Sequence, residues 1–146
     1  MKIKLLAYIL LFFSVVGCGA GGNGEAAIYD AGVSHALAQL RKENISNVNY
    51  SLCFSVPECK DSAVYGNAGI SFDIDAPQEI VFDFSEEQNV NAVSVNGCRA
   101  EYNIHNEHII IPASFFKEGT NTVDITFVAG DRSLNRNDDF LYTLLV

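Results

Sequence analysis

From residue 47 to residue 129, apolar and polar side chains alternate in short runs, and each run ends at a turn signal. Val48, Tyr50, Leu52, Phe54 and Val56 alternate with Asn47, Asn49, Ser51, Cys53 and Ser55. A period of two puts each set on its own face of a strand. The run therefore predicts a half-buried strand with one wet face, ended at Pro57. Ala68, Ile70, Phe72 and Ile74, spaced by Asn67, Gly69, Ser71, Asp73 and Asp75, predict a second strand. Ile80, Phe82 and Phe84 predict a third, after a turn at Ala76-Pro77. Val93 and Val95 lead into Asn96-Gly97, two residues that tolerate positive φ and mark a tight hairpin. The return strand carries Ala100, Tyr102 and Ile104. A short turn at His105-Asn106 leads to His108-Ile109-Ile110-Ile111, and residues 112–117 fit one helical turn closed by Gly119. Val123, Ile125, Phe127 and Ala129 supply a further alternating run. Together these predict an all-β fold, an antiparallel β-sandwich or saddle of roughly seven to nine strands.

The pattern changes at both ends. Val33, Ala36, Leu37 and Leu40 recur at helical spacing, predicting one short helix over 31–44 with Asp30 as its N-cap. Arg41 and Lys42 fall in its last turns, where the helix dipole favours cations. At the other end, the polar, turn-rich residues 130–139 open into Phe140-Leu141-Tyr142-Thr143-Leu144-Leu145-Val146, a segment of high strand propensity. An apolar strand that closes the sequence predicts a partner that is missing.

The first residues follow neither period. Lys2 and Lys4 precede the apolar stretch 5–16, and Gly17-Cys18 follows. Twelve helical residues span about 18 Å, too short for a hydrocarbon core of about 30 Å, so a secretory signal is the better reading. Val15-Val16-Gly17-Cys18 resembles a bacterial lipoprotein box. The resemblance implies cleavage before Cys18, lipidation of its thiol, and a membrane-anchored protein of the bacterial cell envelope, periplasmic or at the cell surface. The expected organisation is residues 1–17 as signal peptide, 18–29 as flexible tether and 30–146 as the β-domain.

Composition narrows the classes. Formal charge is −9 over 146 residues, with the carboxylates scattered along strands and turns as a solvated acidic surface. No basic patch exists to replace counterions on phosphate, which argues against nucleic acid as a partner. Cys53, Cys59 and Cys98 would lie in a compartment that permits disulfides. An odd number leaves at least one thiol free, and a Cys53–Cys59 bridge would need the chain to fold back sharply at Pro57. Their pairing stays open.

Candidate chemistry is thin. His105-Asn106-Glu107-His108 places two histidines three apart in a turn entering a strand, where they point to opposite faces; zinc helices use a spacing of four. Asp138-Asp139 could hold a cation or act as an acid–base pair, but neighbouring loop carboxylates fit a solvated turn. His35 sits on the exposed side of the helix. No serine lies in a nucleophile elbow, and the glycine run 19–24 precedes no strand–helix unit. No residue is assigned a catalytic, metal-binding or substrate-binding role.

From Gly32 onward the chain resembles the N-terminal domain of the aminopeptidase N family, the gluzincin zinc aminopeptidases. The resemblance is carried by Tyr50-Ser51-Leu52-Cys53-Phe54-Ser55-Val56-Pro57, Val93-Ser94-Val95-Asn96-Gly97, His108-Ile109-Ile110-Ile111-Pro112, Gly119-Thr120-Asn121-Thr122-Val123 and the stretch from Ser133 to Thr143. It implies a β-saddle domain, zinc in the full-length protein, and release of N-terminal amino acids from peptides. The zinc helix, His-Glu-x-x-His, belongs to a catalytic domain that this sequence lacks, so the chain alone is expected to be inactive. That missing domain is expected to pack on the C-terminal strand, and peptide substrates are expected only for the full-length protein. Leu144 and Val146 stand where many members carry acidic or amide residues that hold the substrate amine. The alternative is a stand-alone surface β-sandwich lipoprotein that binds a glycan or protein partner. It would use an exposed aromatic platform, and the sequence has no tryptophan.

Overall fold

The computed structural model describes residues 28–85, 89–129 and 134–143. Among these, ten strands and one α-helix follow in the order α1 (His35–Asn44), β1 (Ile45–Ser55), β2 (Val64–Ile74), β3 (Ile80–Asp83), β4 (Val90–Val95), β5 (Cys98–Arg99), β6 (Asn103–His105), β7 (His108–Ile111), β8 (Gly119–Ala129), β9 (Leu134–Arg136) and β10 (Leu141–Thr143). A 3₁₀ turn at Ala113–Phe115 precedes β8. Eight strands build two antiparallel sheets, one ordered β1-β2-β8-β4-β5 and the other β3-β7-β6. Strands β9 and β10 pair as a separate ribbon. The expected all-β antiparallel sandwich with one short helix is the observed architecture.

The core lies between the two sheets. Ile70, Phe72 and Ile74 of β2, Val93 and Val95 of β4, and Val123 and Ile125 of β8 pack against Ile80, Ile109 and Ile111 of the smaller sheet. Phe72 meets Phe82 and Phe116 at ring separations of 6.2 and 6.0 Å. Turn chemistry sets the register. Asn96 and Gly97 have φ of +52° and +81°, so the β4–β5 hairpin is closed by two left-handed residues as its sequence predicts. Asn121, fully buried, joins neighbouring turns: its Oδ1 accepts from Lys117 N and Asn96 Nδ2, and its Nδ2 donates to Lys117 O and Gly119 O. A buried amide keeps its place only when each polar atom is paired, and here each is.

Four expectations are corrected. The helix begins at His35, with Ser34 as N-cap accepting from Leu37 N. Gly32, with φ of +83°, separates Asp30 from the helix, and Asp30 O meets His108 Nε2 instead. The return strand after Asn96-Gly97 is split into β5 and β6, because the chain leaves one sheet at Ala100–Tyr102 and enters the other. The last strand has a partner: Leu141, Tyr142 and Thr143 pair with Arg136, Asn135 and Leu134, which precede it in sequence. Residues 144–146 lie outside the described residues. Finally, β1 is not half-buried. All its residues after Ile45 are exposed, because it ends its sheet beyond the cover of the smaller one.

Arg41 ties the helix to β3 of the smaller sheet. Arg41 donates through Nη1 and Nη2 to both Asp83 oxygens, at 2.8 and 2.7 Å, and through Nη2 to Val81 O. The segment before the helix is tied to the same side. The Tyr29 hydroxyl donates to Glu79, and Asn106 Nδ2 donates to Tyr29 O at 2.8 Å.

Candidate functional site

Strand β1 ends one sheet and β3 ends the other. Between these two edges the sandwich stays open, forming a cleft of about 550 Å³. Its size falls in the range of roughly 300–1,000 Å³ common for binding pockets. Tyr50, Leu52 and Phe54 of β1 form one wall, Phe82 and Phe84 face them, and core residues such as Ile70 and Ile125 form the floor. At one end Phe127 stacks edge-on against both Phe54 and Phe84, with centroids 6.0 and 5.2 Å apart. Gly66 makes room for this stack, since a Cβ there would meet the Phe127 ring at 2.4 Å. The wall is the unusual part: Tyr50, Leu52 and Phe54 are 63%, 59% and 47% exposed, and Val48 and Val56 behave alike. A contiguous apolar stripe of this kind marks an interaction surface more often than a free one.

Arg41 and Lys42 of the helix reach the mouth of the cleft, together with Asp83. Arg41 is committed to Asp83. His108, fully buried in β7, approaches the same carboxylate with Nδ1 at 3.0 Å, while its Nε2 lies 3.0 Å from Asp30 O. One ring nitrogen thus meets a carboxylate and the other a backbone carbonyl, so both are occupied. Burial works to raise the Asp83 carboxyl, but the hydrogen bonds and charge of Arg41, joined by His108, outweigh it. The carboxyl is held below its usual range. Lys42 makes no ion pair among the described residues.

The residues singled out from sequence are scattered. His105 and His108 pair across the turn between β6 and β7. His105 is exposed, and His108 is buried with both nitrogens occupied. His35 is exposed on α1. Asp138 and Asp139 are exposed in the turn before β10, where Asn137 Oδ1 accepts from Asp139 N and Phe140 N. Asp138 pairs with Lys60 at 2.9 Å. Cys53, Cys59 and Cys98 are exposed and form no disulfide with one another, and hydrogen bonds from the Asp61 backbone and the Ser62 side chain lower the Cys59 thiol. Cys18, Leu144 and Val146 lie outside the described residues. No group of three or more metal-ligating side chains converges among the described residues. The two histidines closest to zinc spacing cannot share an ion, since one ring is buried and doubly bonded while the other faces solvent. The described residues therefore do not fit zinc. The cleft itself was hidden in the sequence, because its wall has the pattern of an ordinary buried strand face.

Comparison with known proteins gives two findings. The family model for the haemoglobin-interacting domain of heme-binding protein Shr-like matches residues 64–127, the span from β2 almost to the end of β8. Among solved structures, the chain is similar to a mutant of a two-domain M1 zinc metallopeptidase bound to L-tryptophan. Identity is 18% and the TM-score 0.43, over 62% of this chain and 23% of that one. The chain thus spans less than a quarter of that enzyme's length. No curated protein matches.

Proposed function

We propose that the β-domain is a polypeptide-docking module, the N-terminal domain of a lipid-anchored zinc aminopeptidase whose catalytic domain is a separate unit. One observation carries the docking reading: the apolar wall of Tyr50, Leu52 and Phe54 stands exposed beside an open cleft. Exposing such a stripe forgoes about 25 cal/mol for each Å² of apolar surface left in water. A second polypeptide laid against it would recover that energy. The motifs from Tyr50 to Thr143 that resemble the aminopeptidase N family supply the nature of the partner. In this reading the chain contributes binding surface. Zinc and the water it activates would come from the catalytic domain, and Cys18 would carry the lipid.

A second reading is favoured by the match over residues 64–127: a surface binding lipoprotein whose partner is haemoglobin. Calorimetric titration separates the two. Binding to a recombinant zinc-aminopeptidase catalytic domain, lost in Phe54→Asp, supports the first. Binding to haemoglobin alone moves the assignment to the second. Binding to neither overturns both. The chain incubated with Zn²⁺ and an aminoacyl-anilide should release no product; zinc-dependent turnover would overturn the division of labour.

A further inference from the structure

Strand β1 has a second unsatisfied feature, its backbone edge, beside the cleft that its side chains wall. Among the described residues it pairs with β2 alone, so one backbone edge is left without a neighbouring strand. Edge strands are ordinarily shielded by lysine, proline, a bulge or a covering element. Here a bulge near Asn47, with φ of +52°, closes one end, and Pro57 closes the other. Between them residues 48–56 hold no charge and no proline. An unshielded edge beside an exposed apolar stripe is built to be paired.

The stripe names its own complement. Read from either end, Val48, Tyr50, Leu52, Phe54 and Val56 run valine, aromatic, leucine, aromatic, valine. In an antiparallel pair, directly opposed residues share a face. Pairing about Leu52 therefore sets Leu52 against Leu52 of the second copy, Tyr50 against Phe54, and Val48 against Val56. On the other face Ser51 meets Cys53 and Asn49 meets Ser55, all small polar groups. Aromatic–aromatic and matched aliphatic pairs are the favourable cross-strand combinations. The contact is isologous and closes after two copies. The chain carries −9 overall, so two copies repel in general, yet no charge lies on this seam.

We propose that the chain forms a two-fold dimer through antiparallel β1–β1 pairing centred on Leu52, joining two five-stranded sheets into one. The proposal stands on the edge and the palindrome; because Tyr50, Leu52 and Phe54 also wall the cleft, its test uses the chain alone, and its failure leaves the docking reading standing.

Sedimentation of the full chain, in a non-ionic detergent that keeps the apolar residues 5–16 apart, tests it. The wild type is expected to sediment as a dimer. Leu52→Lys, which brings two ammonium groups together at the dyad, is expected to abolish the dimer. Leu52 is 59% exposed, so the variant should keep its fold, which circular dichroism checks. In oxidised Ser51→Cys, peptide mapping should find position 51 joined to Cys53 of the second copy. Three results would overturn the proposal: a wild type that stays monomeric up to its solubility limit, a dimer indifferent to Leu52→Lys, or a cross-link joining Cys53 to Cys53.

Discussion

Strands β1 and β2 lie side by side, both have eleven residues, and both alternate apolar with polar side chains. In β2 the apolar set Ile70, Phe72 and Ile74 is 2–4% exposed, whereas in β1 the set Tyr50, Leu52 and Phe54 is 47–63% exposed. Side-chain chemistry does not separate them. Position does: β2 has a strand on each side and the smaller sheet above it, while β1 ends its sheet beyond the cover of β3. An alternating pattern states which face of a strand is fit for burial, and a second layer decides whether that face is buried.

The widest separation between the two strands should come from truncation. Phe72→Ala should cost about 3–5 kcal/mol, since it opens a cavity where three rings meet. Urea denaturation measures it, and a cost under about 1 kcal/mol would mean that the core is not packed as described. His108→Leu should come next. It leaves Asp30 O without its donor and Asp83 with Arg41 alone, a loss of about 1–3 kcal/mol by the same measurement.

The third difference is one of pH. The Asp83 carboxyl is lowered in the fold, so its contribution is complete above the unfolded carboxylate value of about 3.9 and disappears as pH falls through the lower folded value. The wild type should lose more stability than Asp83→Asn on acidification below about pH 4. Equal acid slopes for the two would remove the carboxylate from this network. The smallest effect belongs to β1: Leu52→Ala, assayed dilute enough to keep copies apart, should change stability by less than about 0.5 kcal/mol. A loss of about 2 kcal/mol or more would mean that the stripe is already covered.

Much of the fold was legible because it rests on local rules. The period of two marks β2, β4 and β8, and Asn96-Gly97 closes the hairpin with the two positive φ values that its residues allow. Leu37 is the one buried member of the helical stripe, so the helix was readable, although its start was displaced by Gly32 and Ser34. The site was less legible. His108 was read as part of a polar turn, because nothing near it in sequence reveals that Asp83, twenty-five residues earlier, lies opposite it in the register of β3 with β7. Asn121 gave no signal beyond a short motif: its bonds to Lys117 and Gly119 are local, but the tie to Asn96 comes from a turn that only the folded sheet brings near.

The sequence by itself determined the strand class, the faces, the turns and the charge-free stretch 48–56. These depend on residues within a few positions of one another, where steric limits on φ and the pleat of the backbone act directly. Tertiary structure alone decided that β1 became an edge, that its apolar face stayed uncovered, and that Arg41 and Asp83 met at the mouth of a cleft with His108 buried behind them. Strand order joins segments far apart in the chain, and burial is a property of that arrangement rather than of any segment within it.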